Sequence, residues 1–346
     1  MGMNWEGKRV LITGHTGFKG SWLSLWLRLK GAEVYGMALS PPTHPNMFTV
    51  ANVQQSIGLR SVTLDVRNAD LVYNVFYRHA PEIVFHLAAQ PIVSTSYKYP
   101  IETYSTNVMG TANVLEAARK TKSVKAIIVV TSDKCYANQE WDWPYRETDI
   151  LGGHDPYSAS KACAELIAAS YRKSFNMNIA VARAGNVIGG GDWGVDRLVP
   201  DVMRAFTEGK AVKVRNPESI RPWQHVLEPL RGYIMLAESL YDKGSIYAEE
   251  WNFGPVQYDE WTVLDIVEEL ANLWGEGASI EIAQSSQLIH ETSSLALDCS
   301  KAKRRLGWCP RLSLKNSLSL TCDWYKTWLQ RYNMKDYTLN QIRSYE

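Results

Sequence analysis

Along the first half of the chain, short apolar runs alternate with longer amphipathic stretches. "RVLIT" (9–13), "EVYGMAL" (33–39), "SVTLDV" (61–66), "EIVFHLAA" (82–89), "KAIIVVTS" (125–132) and "IAVARAGNVIG" (179–189) are short and nearly all apolar, as strands covered on both faces are. Between them, "GSWLSLWLRLKG" (20–31), "LVYNVFYRH" (71–79), "IETYSTNVMGTANVLEAARKT" (101–121) and "PYSASKACAELIAASYRKSF" (156–175) carry a helical period. Such alternation predicts an α/β fold with a doubly wound parallel sheet. After residue 186 the pattern weakens. "GGGDWGVDR" and "RNPESIRPWQH" are rich in Gly, Pro, Asp and Trp, which suits a smaller lobe that closes over a ligand. A helical pattern resumes at "HVLEPLRGYIMLAESLY" (225–241) and returns toward the first lobe.

Composition narrows the class. The 346 residues suit one large α/β domain or two unequal lobes. A net charge of +1 gives no reason to expect nucleic acid or an acidic membrane as partner. The five cysteines show neither a CxxC pair nor zinc spacing, so no metal is expected and the thiols read as reduced. The N-terminus lacks an apolar core of signal-peptide type, and Glu6 stands where a myristoylation signal needs Ser or Thr. No run approaches membrane-spanning length. The expectation is a soluble, cytoplasmic protein.

Three constellations carry chemistry. Gly14, Gly17 and Gly20 in "TGHTGFKG" form GxxGxxG between the first strand and its helix. Glycines there allow a tight turn and let a pyrophosphate approach the backbone at the positive end of a helix. Thr16 and Phe18 lie in the same loop. An acid near Leu39 or Ser40, at the end of the second strand, would hold an adenosine ribose, but "YGMALSPP" has none. No Arg replaces it, so a 2′-phosphate is not favoured either. Asp65 can instead reach the adenine. Tyr157 and Lys161 in "DPYSASK" are four apart and share a helix face. A lysine beside a phenol favours the phenolate and makes it a base for an alcohol proton. Finally, "VVTSDKCYA" (129–137) places Asp133 and Lys134 side by side where an apolar strand ends. They read as turn chemistry or as an active site.

With "HLAAQ" and "TNVMGTANVLEA" added, these motifs resemble the extended short-chain dehydrogenase/reductases over nearly the whole chain. The resemblance implies a Rossmann-type sheet with a smaller C-terminal nucleotide-sugar lobe. On this chain that means residues 1–185, rejoined by parts of 225–255, for NAD, and 186–346 for substrate. It implies that Ser132 bridges Tyr157 and the substrate hydroxyl, and that Lys161 also binds the nicotinamide ribose. Leu87, Ala88 and Ala89 would pass along the cofactor, and Asn107 would support the site. "TSDKCY", "AGNVIGGGDW", "IRPWQHVLEP" and "EWNFGP" are similar to the CDP-glucose 4,6-dehydratases in particular. That likeness implies CDP-glucose as substrate and CDP-4-keto-6-deoxyglucose as product, a precursor of deoxysugars in surface polysaccharide such as the lipopolysaccharide O-antigen.

Under this reading Asp133 is the acid that expels the 6-hydroxyl. Lys134 is the base at carbon 5, or an electrostatic neighbour that tunes Asp133. Asn186, Arg197 and Arg221 are candidates for the sugar diphosphate, because Arg forks and amide donors suit it. The resemblance also implies a homodimer through the two long helices (101–121 and 156–175), or a tetramer built from it. The rivals are a dehydratase or epimerase for another nucleotide sugar, and a catalytically silent NAD-sensing Rossmann protein.

Overall fold

A computed structural model of the chain describes residues 3–255, 261–282 and 295–346. Seven strands form the main sheet: β1 (Arg9–Thr13), β2 (Glu33–Ala38), β3 (Ser61–Thr63), β4 (Ile83–His86), β5 (Ala126–Val130), β6 (Ile179–Ala184) and β7 (Glu250–Phe253). All their pairings are parallel, in the order β7-β6-β5-β4-β1-β2-β3. The chain runs outward from β1 in one direction and then, from β4, in the other. This reversal opens a crevice beyond the strand ends, where α/β sheets bind ligands.

Side chains alternate across the sheet. Val10 and Ile12 of β1 and Ile83 and Phe85 of β4 enter one core. Leu11 and Val84 enter the other. β4, β5 and β6 are buried at every position, which is why they read as continuous apolar runs. One face is covered by helices α1 (Phe18–Leu29), α5 (Leu227–Lys243), α6 (Leu314–Leu329) and α7 (Met334–Tyr345). The other is covered by α2 (Ala69–His79), α3 (Gly110–Arg119) and α4 (Pro156–Phe175). The doubly wound Rossmann-type α/β sheet is therefore the fold of this chain.

The helix expected over 156–175 is α4 to the residue. Asp155 accepts the Ser158 N–H as its N-cap, Pro156 opens its first turn, and Asn176 ends it in the left-handed region. The helix expected over 101–121 starts at Pro100 and is interrupted. Pro100–Tyr104 is α-helical, Ser105–Met109 is one π-helical turn, and only then does α3 continue. Sequence reading did not anticipate β7, nor the helices Leu198–Thr207, Val263–Trp274, α6 and α7. Two small parallel pairs complete the later half: Ala211–Val214 with Ser279–Ile282, and Val187–Ile188 with Gln224–His225. Among the described residues, no helix is long and apolar enough to cross a membrane.

Candidate active site

The glycine loop leaves β1 and enters α1. Gly14 has φ +75°, and a Cβ on it would come 2.8 Å from Ala88 N, so the loop lies flat on the segment after β4. A Cβ on Gly20 would come 2.2 Å from Gly14 O, which only glycine avoids. Gly17 is different: its Cβ would meet only Gly14 O, at 3.3 Å, and the rest of that side is open. Among the described residues no side chain caps Gly17, and the first turn of α1 holds no acid. The first amide N–H groups of α1 are thus available to an anion, as a dinucleotide pyrophosphate requires. Thr16 Oγ1 donates to Leu39 O at 2.8 Å, pinning the loop to the end of β2. The Phe18 ring packs against Gly189 and the core, so only its backbone serves the loop. Thr13 Oγ1 accepts the N–H groups of Leu87 (3.1 Å) and Ala88 (3.0 Å), which sets the path of Leu87, Ala88 and Ala89 past the crevice.

The second floor of the crevice is the end of β5. Ser132 caps a short 3-10 turn, Asp133–Cys135. The Asp133 carboxylate is buried. Its Oδ1 accepts Ser132 Oγ (2.8 Å) and Lys134 N–H (2.9 Å). Its Oδ2 lies beside Gly185. Burial pushes the Asp133 pKa up; the Ser132 hydrogen bond and the Lys134 and Arg221 charges oppose this. The Lys134 side chain is half-buried, and among the described residues it makes no ion pair with Asp133. The pair is therefore no solvated turn: one member is a sequestered carboxyl, the other a cation at its rim.

Tyr157 and Lys161 stand on α4 and are both buried. Burial pushes the Tyr157 phenol up to about 12, with the Ser132 hydroxyl pulling it down. Burial pulls Lys161 down to about 8, opposed by Glu165. Lys161 Nζ donates to Val130 O at 3.2 Å, and the groups acting on the phenol are Ser132, Asp133, Arg197 and Asp155. The lysine is anchored to the end of β5, one helical turn from the phenol. Asn107, in the π-helical turn, ties the site together. Its Oδ1 accepts Gln90 N–H (2.8 Å), and its Nδ2 donates to Gln90 O (3.1 Å) and Ser160 Oγ (2.8 Å). A π-turn re-aims one side chain inside a helix, and such turns gather at functional sites.

The other expected residues divide. Arg197 faces Tyr157, but its guanidinium is paired with Asp192 at 2.9 Å. Arg221 donates to Ile220 O at 2.9 Å and lies near enough to Asp133 to act on it. Asn186 is half-buried just beyond β6, and its carbonyl accepts Gln224 N–H at 3.0 Å. Asp65 is gripped by Arg67, whose Nε donates to Oδ2 at 2.8 Å. That pair holds the Asp65 carboxyl low. Lys19 was missed. It stands in the first turn of α1, where burial and the charges of Arg197 and Lys161 pull it down to about 8. Its signal was its place inside the glycine motif, where an added cation faces the crevice. Tyr233, buried in α5 near Tyr157, was missed too; a tyrosine in an apolar helix gives no such signal.

Comparison with known proteins places this geometry. Residues 11–321 match the family described as GDP-mannose 4,6 dehydratase. A CDP-glucose 4,6-dehydratase from Salmonella typhimurium is 49 % identical over 350 residues, spanning 99 % of this chain and 97 % of the relative. A dTDP-glucose 4,6-dehydratase from Escherichia coli is 25 % identical, over 93 % of this chain and 96 % of its own. Among solved structures, a Streptomyces venezuelae dTDP-glucose 4,6-dehydratase with NAD bound superposes with a TM-score of 0.79 at 23 % identity, covering 94 % of this chain and 98 % of the other.

Proposed function

The chain belongs to the GDP-mannose 4,6-dehydratase family, and from that premise we propose that it is an NAD-dependent lyase converting CDP-D-glucose to CDP-4-keto-6-deoxy-D-glucose. The observation that carries the elimination step is the buried Asp133 carboxyl, held toward its neutral form beside Ser132 and in one crevice with Tyr157 and Lys161. An epimerase that only inverts carbon 4 has no use for such an acid. The near-full-length likeness to a CDP-glucose enzyme supports the choice of nucleotide. Incubating the protein with CDP-glucose and reading the alkaline absorbance of a 4-keto sugar tests this. No product with CDP-glucose, but product with another nucleotide glucose, would refute the base assignment; no product with any would leave the NAD-sensing reading.

NAD, when bound, would supply hydride chemistry, oxidising sugar carbon 4 and later reducing carbon 6. The glycine loop fits its pyrophosphate: Gly14, Thr16, Gly17, Phe18 and Gly20 form the cradle. Leu87, Ala88, Ala89 and Asn107 would line its path, Lys161 its ribose, and Asp65 its adenine. Tyr157 Oη takes the proton of the 4-hydroxyl, relayed through Ser132 Oγ. The 4-ketone acidifies the carbon 5 proton; a base removes it while Asp133 delivers a proton to the departing 6-hydroxyl, which leaves as water, and a proton returns to carbon 5 as carbon 6 is reduced. Asn186, Arg197 and Arg221 would meet the sugar diphosphate, with Lys19 as a further cation at the same crevice. We assign residues 1–185, with parts of 225–255, to the cofactor and the rest of 186–346 to the substrate. The exposed apolar side chains Ile101, Met109 and Leu166 support a homodimer through the helices of residues 100–119 and α4; sedimentation at micromolar protein checks it. Five free thiols and neutral chemistry suit the cytoplasm.

Cofactor should be held loosely. Leu39 is exposed just past the end of β2, and the stretch around it, "YGMALSPP", holds no carboxylate for the ribose diol. Dialysed protein, once denatured, should release well under one equivalent of NAD. Stoichiometric NAD after extensive dialysis would show that another group replaces the missing acid.

Lys134 is the residue whose role separates this site from a plain carboxylate pair. If its amine removes the carbon 5 proton, Lys134→Met should slow entry of solvent deuterium at carbon 5 of the product by about 10²-fold or more. Deuterium entry at the wild-type rate would reduce the lysine to an electrostatic neighbour of Asp133.

A further inference from the structure

Away from the reacting groups, Glu165 and Arg183 form a buried ion pair, each with a side chain 1 % exposed. Glu165 lies on α4, one turn beyond Lys161. Arg183 lies on β6. The Arg183 Nε donates to both Glu165 oxygens at 2.9 Å, and its Nη2 donates to Oε2 as well. Arg183 Nη1 also donates to Glu147 O at 3.2 Å, and the pair has two side-chain partners whose positions matter. Thr131 Oγ1 donates to Glu165 Oε1 at 2.6 Å. Arg183 Nη1 donates to Tyr136 Oη at 2.6 Å, and that hydroxyl donates to Asn252 Oδ1 at 2.8 Å. Thr131 and Tyr136 are the two residues that bracket the segment Ser132–Cys135.

We infer that the Glu165–Arg183 pair is a clamp that holds both ends of the Ser132–Asp133–Lys134 segment against the helix carrying Tyr157 and Lys161, making Glu165 and Arg183 positioning residues for the elimination. Apart from the clamp, the segment is held by the Ser132 and Lys134 bonds to Asp133 Oδ1, by Gly152 N–H to Cys135 O at 2.8 Å, none of which reaches α4, and by a short 3-10 turn: Cys135 N–H to Ser132 O at 3.2 Å and Tyr136 N–H to Asp133 O at 3.3 Å. Such a turn does not by itself fix the distance from Asp133 to a phenol on another element. A carboxylate and a guanidinium shared by β6, α4 and both ends of the segment do fix it. A buried pair of this kind is weak evidence for stability, since removing two charges from water costs as much as their attraction returns. Positioning is therefore the better account of its place.

The inference rests on the dehydration reading for the steps it names. The test uses Thr131→Val with Tyr136→Phe, which removes the bonds to the segment and leaves the ion pair whole, so that no charge is stranded. With CDP-glucose, kcat should fall by about 10- to 100-fold and KM should stay within about twofold. Because Ser132 moves with Asp133 and Lys134 while Tyr157 stays on α4, oxidation and elimination should both slow, and the level of reduced cofactor during turnover should differ from wild type. Amide hydrogen exchange of Cys135 and Tyr136 should quicken about tenfold, with the α4 amides unchanged. A merely structural pair would lower the melting temperature and leave kcat, reduced cofactor and local exchange as in wild type; that result overturns the clamp. If wild type shows no turnover of CDP-glucose, the functional reading fails instead, and the exchange measurement alone decides the clamp. Should the double variant not fold, Thr131→Val alone carries the same readouts.

Discussion

Tyr157→Phe is expected to lower kcat with CDP-glucose by about 10²–10⁴-fold while changing folding stability by only about 1 kcal/mol. The ring is buried and packed, and Phe preserves it; the hydroxyl stands near Ser132 and contributes little else to the fold. What is lost is the oxygen that accepts the 4-hydroxyl proton. The phenol begins high, near 12, so it is a weak base until a neighbouring cation favours its ionised form. Lys161 is the buried cation one helical turn away, and burial has lowered it to about 8. Its charge is therefore present below about pH 8 and lost above it. Wild-type kcat/KM, which reports the free enzyme, should accordingly decline on the alkaline side of that value. A Tyr157→Phe protein with wild-type turnover would sink the oxidation step, and a flat alkaline profile would detach Lys161 from it.

Asp133→Asn should separate the two halves of the reaction. The amide keeps the volume of the carboxyl, and its oxygen can still accept the Lys134 N–H. It cannot deliver a proton to a leaving hydroxide. Oxidation at carbon 4 depends on Tyr157 and Ser132 and should stay within about tenfold of wild type, whereas water loss should slow by about 10²–10³-fold. Mixed with CDP-glucose, the variant should hold a 4-keto-glucose intermediate, visible as persistent absorbance of reduced cofactor. Equal slowing of both steps would mean that Asp133 supports the site as a whole and is not a dedicated acid.

The sheet was legible because its strands are buried on both faces, and α4 because Asp155, Pro156 and Asn176 mark its ends chemically. The glycine loop and the Tyr157–Lys161 spacing were legible for the same local reason. What sequence could not show was set by distant partners. Lys161 reaches Val130 O, thirty-one positions away, and Arg197 is neutralised by Asp192. Asp65 is the exception, since Arg67 stands only two residues on, a local partner that the reading toward the adenine did not weigh. The π-turn at Ser105–Met109 was invisible because one extra residue in a helix leaves both flanking patterns intact. The Glu165–Arg183 pair was invisible because a charge on a predicted helix reads as solvated until the fold buries it.

The place of β7 in the sheet bears on how the protein is made. β6 ends at Ala184, but the strand that covers its open edge is Glu250–Phe253, and the helix packed over β5 and β6 is Leu227–Lys243. A ribosome that has released residues 1–185 has thus delivered six strands with a bare apolar edge, and at about 5–20 residues per second the cover follows only after several seconds. An uncovered edge of this kind pairs readily with other chains. The nascent chain must wait for its second half before it can close, and a gene cut near residue 185 would yield aggregate and no free-standing nucleotide-binding half.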